Sequence, residues 1–366
     1  MDDERGWDSL VVFDADGVVT VVVTGGAGYI GSHVALELIA AGHEPVLFDN
    51  FSNSSPAVLS TLERLAGRPV PCVEGDIRER GDLDRAFGNG AVSAVLHLAA
   101  SKAVGESVDD PLHYYANNLA GSVCLAERMA HHGVRTLVFS STAAVYAGSD
   151  GPLSEDAPTA PSSPYGRTKL AAEQMLRDLH GADPRWSVSI LRYFNVAGAH
   201  PSGLLLESPV GPPQNLLPRV ADAAAGESGQ IPVFGDDYAT PDGSCVRDYV
   251  HVLDVAGGHV SALERADSRS GVSVHNLGSG CGHSVFEVLA AFRRASGAGV
   301  PHRVTARRPG DVAVLLADVR RARDELGWVP ERGLDAICAD LWRSRSLASE
   351  GPATNDFRPV DAVGNG

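Results

Sequence analysis

The chain has 366 residues, of which 44% are hydrophobic and 21% are charged, and its formal net charge is −16 at pH 7. This composition is typical of a globular protein with a large core, and the negative charge argues against nucleic acid or an anionic membrane as a partner. The five cysteines lie far apart without a Cys-x-x-Cys pair, so we expect no disulfide framework, no zinc site and no other metal site.

The first residues of the chain bear on its location. The segment Met1–Glu4 is acidic where a secretory signal is basic, and no apolar run approaches the length of a membrane span. We therefore expect a cytoplasmic protein that binds no membrane. Residues 1–20 precede the first predicted strand, and we interpret them as an N-terminal extension.

A run of β-branched residues meets a cluster of glycines within residues 21–32. The pattern predicts a strand, a tight turn and a helix. In that context Gly26-x-Gly28-x-x-Gly31 fits the dinucleotide-binding fingerprint, and Gly25, Gly28 and Gly31 fit a second spacing of three. The N-terminus of the helix then faces the phosphates. A turn without a ligand is the alternative that the glycine spacing alone leaves open.

A carboxylate ends the second predicted strand, Pro45–Asp49, about 20 residues after the glycines. At this place Asp49 can bind both hydroxyls of the adenosine ribose and would repel a 2′-phosphate, which favours NAD over NADP. The alternative is a surface aspartate that caps the following turn.

Short apolar strands alternate with amphipathic helices as far as about residue 200, which predicts an α/β fold with a doubly wound, Rossmann-like parallel sheet. The predicted strands are 21–24, 45–49, 70–73, 93–98, 135–140 and 187–193, and the predicted helices are 30–42, 56–66, 80–88, 112–132 and 164–180.

Loops rich in proline and glycine replace this alternation after residue 200. We interpret them as the start of a smaller C-terminal lobe that binds the substrate over the cofactor cleft. The predicted division is a Rossmann domain over 21–196, a lobe over 197–346 with segments near 251–278 returning to the Rossmann domain, and a disordered tail over 347–366.

Tyr165 and Lys169 carry the predicted chemistry. Their spacing of four places the phenol and the ammonium on one helical face after the Pro164 helix start. A tyrosine acts as a base near neutrality only if its pKa falls by about 3 from about 10. A cation about 4 Å away supplies roughly this energy, helped by an oxidised nicotinamide ring. The spacing alone also fits two ordinary residues on the exposed face of one helix.

Thr142 closes the strand that ends Ser140-Ser141-Thr142. The carboxyl ends of strands bind ligands in a doubly wound sheet, so its hydroxyl can reach the substrate oxygen that Tyr165 deprotonates. The alternative is that the hydroxyl at this strand end only caps the backbone of its own turn.

Together with these motifs, several blocks resemble the extended short-chain dehydrogenases/reductases and, among them, the UDP-galactose 4-epimerases. The match runs in order from about residue 20 to 345, and its most specific blocks are Lys102–Val108 and Gly198–Gly203. The resemblance implies NAD as a tightly bound cofactor, a UDP-sugar as the substrate and a homodimer with contacts near helices 112–132 and 164–180.

The resemblance also implies site residues. The catalytic residues would be Tyr165, Lys169 and Thr142, and these three would also touch the cofactor. The other NAD-binding residues would be Gly25, Gly28, Tyr29, Ile30, Gly31, Asp49, Asn50, Phe51, Ser52, Asn53, Ser54, Asp76, Ile77, Leu98, Ala99, Ala100, Ser101, Lys102, Asn117 and Phe194. The UDP-sugar would contact Thr142, Tyr165, Asn195, Asn215, Phe234, Arg247, Arg308, Asp311 and Leu315.

The implied reaction is the reversible epimerisation of UDP-galactose and UDP-glucose at C4 through a 4-keto sugar. A 4-epimerase of another nucleotide sugar, a UDP-N-acetylhexosamine or a UDP-uronate, is an open alternative. The size of Leu315 leaves N-acetylated sugars undecided. A 4,6-dehydratase would need an acid–base pair after Thr142, where Ala143 and Ala144 stand. A non-catalytic NAD-sensing protein is an alternative from a different class.

Overall fold

The computed structural model describes residues 18–88, 92–148, 151–266, 270–308 and 310–349. The predicted N-terminal extension lies outside the described residues up to residue 17, and the first strand already begins at Thr20. The predicted tail begins too early, because residues 347–349 still belong to the last helix, in which Leu347 packs against Gly203. The rest of the predicted tail lies outside the described residues.

The strands and helices alternate in the order that the sequence predicts. The strands are β1 Thr20–Thr24, β2 Glu44–Asp49, β3 Cys72–Glu74, β4 Val92–His97, β5 Thr136–Thr142, β6 Ser187–Tyr193, β7 Asn195–Ala197, β8 Ile231–Phe234, β9 Val246–His251, β10 Gly271–Leu277, β11 Gly282–Ser284, β12 His302–Thr305 and β13 Val314–Leu315. The helices are α1 Tyr29–Ala40, α2 Ala57–Ala66, α3 Arg80–Phe87, α4 Val104–Asp109, α5 Pro111–Tyr114, α6 Gly121–His131, α7 Pro164–Ala182, α8 Leu216–Ala224, α9 Val252–Ala266, α10 Val285–Ser296, α11 Arg320–Leu326 and α12 Leu334–Ser349.

Seven parallel strands form the central sheet in the order β10-β6-β5-β4-β1-β2-β3. Its central strands are near-continuous apolar runs because helices cover both faces; Val21, Val22 and Val23 are fully buried. The strand order reverses between β1 and β4, so a crevice opens at their carboxyl ends. The predicted doubly wound α/β fold is confirmed.

The predicted helix over 112–132 is interrupted. Between α5 and α6 the chain forms a π-helical turn, Tyr115–Ala120. Inside it, the Asn118 amide accepts a hydrogen bond from the Ser101 N–H at 2.8 Å and donates one to the Ser101 carbonyl at 2.9 Å. A wide turn at a functional cleft is a common use of this geometry, and apolar periodicity does not detect it.

The second lobe is built on β9, which pairs with β7, β11 and β13. A separate pair, β8 with β12, lies beside helices α8, α10 and α12, whose apolar faces share one core. Within residues 251–278, β10 joins the central sheet, and α9 contributes Val255 and Ala256 to the same core as α1. None of the helices in the described ranges is long and apolar enough to cross a membrane.

Candidate active site

A cleft of about 1480 Å³ opens at the carboxyl ends of the central strands and continues beneath the second lobe. The structure brings most of the predicted site residues together along its wall. These are Gly25, Gly28, Tyr29, Ile30, Gly31, Asp49, Asn50, Ser52, Asn53, Ser54, Ile77, Leu98, Ala99, Ala100, Ser101, Lys102, Asn117, Tyr165, Lys169, Asn195, Asn215, Phe234, Arg247, Arg308 and Asp311.

Five predicted residues do not line this cleft: Phe51, Asp76, Thr142, Phe194 and Leu315. Phe194 and Leu315 belong to an apolar cluster behind the wall with Tyr146 and Val145. Asp76 lies close to the cleft, where its carboxylate accepts a hydrogen bond from Asn50 at 3.2 Å and pairs with Arg78 at 2.6 Å. The hydrogen bond from the Arg78 side chain is the main reason that the pKa of Asp76 falls to about 2, and the bond from Asn50 adds to it.

Glycines are needed in the turn between β1 and α1 because neighbouring backbone atoms leave no room for a side chain there. Gly25 has a φ of 70°, and a Cβ there would lie 2.8 Å from the Ala99 nitrogen. A Cβ on Gly31 would collide with the Gly25 carbonyl oxygen, which fixes how closely α1 approaches β1. The sequence therefore places α1 with its N-terminus at the cleft wall.

This end of α1 fits a dinucleotide diphosphate. Its N-cap is Gly28, no side chain caps the first turn, and the residues of that turn, Tyr29–Gly31, line the cleft. Uncapped N–H groups at a helix N-terminus bind anionic phosphate oxygens well. The residues present therefore fit the diphosphate of NAD.

Asp49 stands at the end of β2 beside the same turn. One carboxylate oxygen accepts the Ala27 N–H at 3.0 Å, and the other accepts the Phe51 N–H at 2.9 Å and the Ser54 hydroxyl at 3.1 Å. These bonds hold the carboxylate in place at the cleft wall. The bond from the Phe51 N–H is the turn cap named above as the alternative, and the contact of Asp49 with the adenosine ribose stays a prediction.

Tyr165 and Lys169 lie on the cleft-facing side of α7. The helix begins at Pro164, and the Ser163 hydroxyl caps it by accepting the Gly166 N–H at 3.1 Å. Lys169 is 3% exposed; its Nζ donates to the Ser140 carbonyl at 2.7 Å and lies 4.9 Å from the centre of the Phe139 ring. The end of β5 thus anchors the lysine directly.

Burial dominates the ionisation of both groups. It raises the pKa of Tyr165, and a hydrogen bond with Thr142 opposes that rise. Burial lowers the pKa of Lys169 to about 7, against an opposing attraction to Glu173. The energy expected from the sequence assumed that Lys169 carries a full charge, and this desolvation reduces what the lysine alone can contribute to a Tyr165 phenolate.

A buried ion pair between Glu173 and Arg192 lies next to Lys169 along α7. The Glu173 carboxylate accepts from the Ser141 hydroxyl at 2.5 Å and from Arg192 at 2.6 Å and 3.0 Å. Glu173 lies one helical turn after Lys169 on α7, and Arg192 lies on β6. This network joins α7 to the strands β5 and β6 on which the site is built.

The far end of the cleft is cationic. Arg247 of β9 approaches the Asp311 carboxylate at 3.5 Å, and Arg308 pairs with the same carboxylate at 2.9 Å. The Arg308 guanidinium also lies 4.6 Å from the centre of the Phe234 ring. Two guanidinium groups with a shared counter-ion suit a diphosphate, and an aromatic face beside them suits a flat base.

Sequence reasoning missed two polar contacts of the cleft. Glu207 pairs with Lys102, and the Tyr193 hydroxyl bonds to His259 on α9. Glu207 and Tyr193 both line the cleft. No local pattern reveals either pair, because 105 and 66 residues separate the partners.

The chain is similar to proteins of known class. A sequence model described as "NAD dependent epimerase/dehydratase family" matches residues 21–278. The UDP-glucose 4-epimerase of Bacillus subtilis (strain 168) is 50% identical over 329 residues, which are 90% of this chain and 97% of that protein. The UDP-glucose 4-epimerase of Homo sapiens is 49% identical over 331 residues, 88% of this chain and 95% of that protein.

Solved structures agree with this similarity. The crystal structure of UDP-glucose 4-epimerase from Bifidobacterium longum in complex with NAD⁺ and UDP is 45% identical and superposes with a TM-score of 0.87. The aligned region covers 91% of this chain and all of that one.

Proposed function

The chain belongs to the NAD dependent epimerase/dehydratase family, and on that premise we propose that it catalyses the reversible C4 epimerisation of UDP-glucose and UDP-galactose with NAD as its cofactor. The observation that carries this assignment is one continuous cleft with three parts. A dinucleotide cradle lies at one end, the arginine pair at the other, and Tyr165 with Lys169 lines the wall.

When bound, NAD supplies the acceptor for a hydride from C4 of the sugar and the donor that returns it. The chain supplies the proton chemistry. Tyr165 takes the proton of the 4-hydroxyl on its phenolic oxygen and later gives it back, with the Thr142 hydroxyl as its hydrogen-bond partner. Lys169, held by the Ser140 carbonyl, stabilises the phenolate.

Inversion at C4 requires that the 4-keto sugar presents its opposite face before reduction. Arg247 and Arg308 hold the UDP diphosphate during this movement by charge-assisted hydrogen bonds. A firm grip on UDP and a loose one on the hexose therefore produce epimerisation rather than simple oxidation.

A dehydratase shares the first oxidation but removes the 6-hydroxyl. In this chain the residues after Thr142 are Ala143 and Ala144, which form the first two positions of a short 3₁₀ turn. Their methyl groups transfer no protons. The end of β5 therefore favours epimerisation.

The test is to purify the protein without added cofactor and offer UDP-galactose, UDP-glucose and their N-acetyl forms separately. We expect UDP-glucose and UDP-galactose to interconvert without added NAD, as chromatography of the nucleotide sugars will measure. Activity confined to other nucleotide sugars would contradict the substrate assignment.

We also propose a homodimer formed through the helices beside the site. Leu112 is 79% exposed, Tyr115 39% and Val123 38%, and they lie in turn on α5, the π-helical turn and α6. Helix α7 packs against the π-helical turn, and its surface carries a shallow groove that contains Leu170. An apolar surface of this kind favours association with a second copy.

Leu112→Glu is expected to convert the dimer to a monomer, because a charge within the apolar surface would lose its water on association. Light scattering after gel filtration measures the mass. Val304→Glu is the matched control, since Val304 is 46% exposed on β12 and lies outside this surface. A monomeric wild-type protein would refute the dimer.

We propose the cytoplasm as its location. All five cysteines are unpaired thiols, as is usual in a reducing compartment. Fractionation alongside a cytoplasmic marker enzyme checks this assignment.

A further inference from the structure

One segment of the second lobe, residues 204–215, crosses the cleft, and we name it the strap. Leu204–Val210 and Asn215 all line the cleft. On the other side of the cleft stand the loops after β2 and β4, which carry Asn53 and Lys102. The strap therefore faces the half of the cleft that fits NAD.

Two contacts tie the strap to these loops. The Val210 N–H donates to the Asn53 Oδ1 at 3.1 Å, and the Lys102 ammonium forms an ion pair with the Glu207 carboxylate. Val210 is 70% exposed, so the first contact lies at the surface and competes with water. The ion pair is the better protected of the two.

The Glu207 carboxylate is the centre of this arrangement. Its side chain is only 7% exposed, although Lys102 is 45% exposed. It also accepts hydrogen bonds from the Asn215 amide at 3.2 Å and 3.4 Å, at the start of α8. A carboxylate buried to this extent is stable only with such partners, so Glu207 joins the Asn215 end of the strap to the loop that carries Lys102.

We propose that Glu207 is a positioning residue that closes the strap over the cofactor cleft and thereby retains NAD between turnovers. This inference rests on the proposed function, because a cofactor that is regenerated at each turnover has to remain bound. Glu207 acts through Lys102 and Asn215 and does not take part in the proton transfer.

The experiment measures NAD retention directly. Wild-type protein and Glu207→Gln are loaded with NAD and passed through gel filtration at timed intervals, and the NAD released on denaturation is quantified. We expect the Gln variant to lose NAD about tenfold faster, the effect of one charge-assisted hydrogen bond, and to regain its kcat at saturating NAD. In the wild type, raising the ionic strength should accelerate the loss more than in the variant.

Glu44→Gln is the matched control, because Glu44 at the start of β2 pairs with the Arg68 guanidinium at 2.6 Å on the surface, away from the cleft and the proposed dimer surface. NAD retention by Glu207→Gln equal to the wild type would overturn the proposal. So would faster loss accompanied by a lower unfolding temperature and no recovery at saturating NAD. A wild-type protein that holds no NAD would instead contradict the proposed function.

Discussion

Replacement of Tyr165 by phenylalanine is expected to lower kcat by about 10³-fold, because positioned general acid–base groups contribute roughly 10² to 10⁴. The substitution removes only the phenolic oxygen, the atom that takes the proton of the sugar hydroxyl. Initial rates of UDP-galactose conversion measure the effect.

Two further measurements identify the step that Tyr165 serves. The NAD content of the purified variant and its affinity for UDP should match the wild type, since neither the glycine turn nor the arginine pair contacts the lost oxygen. Tyr146→Phe is the control: its hydroxyl donates to Asn276 at 2.6 Å behind the cleft wall, so we expect its kcat to stay within about twofold. Equal losses in the two variants would show that Tyr165 has a structural role only.

The sequence predicted the central sheet well for a physical reason. Apolar runs such as Val21–Val23 are buried on both faces, and the glycine turn that follows is possible only with the backbone contacts of Gly25 and Gly31. Strand, turn and helix are therefore encoded within about 20 consecutive residues. The boundaries of β1 and α1 differ from the predicted ones by one or two residues.

The π-helical turn and the tail boundary were not predicted correctly because both depend on distant contacts. Asn118 leaves the regular helix to bond Ser101, and Leu347 extends α12 by packing against Gly203. Periodicity within one segment carries no information about either partner. The ion pair between Glu207 and Lys102 was not predicted for the same reason.

One compositional signal for the site was present in the sequence. Lys102 and Lys169 are the only lysines in the chain, and all other side-chain cations apart from histidine are arginines. Both line the cleft. An ammonium can change its protonation when it is buried and a guanidinium cannot, and Lys169 is the buried one of the two.

Lys169→Met is expected to lower kcat by about 10² to 10³-fold and at the same time to stabilise the fold. The first effect follows from the loss of a preorganised charge beside the phenolate. The second follows from burial, which lowers the pKa of this ammonium to about 7. Burying the lysine costs roughly 4 kcal/mol at pH 7. The methionine leaves the Ser140 carbonyl without its donor, so we expect a net gain of about 1–3 kcal/mol in the free energy of unfolding.

The pH dependence of the stability gain shows whether it comes from removing the buried ammonium or only from better packing of the methionine. The unfolded chain holds the extra proton up to the ordinary lysine pKa of about 10.5, whereas the folded chain releases it near pH 7. The cost of burying Lys169 is therefore complete below pH 7 and declines as the pH rises toward 10. The gain in unfolding temperature for Lys169→Met should accordingly be large at pH 6 and shrink by pH 9. Tyr165→Phe retains the lysine and should keep the wild-type dependence, and a gain for Lys169→Met that is constant with pH would contradict the assigned cause.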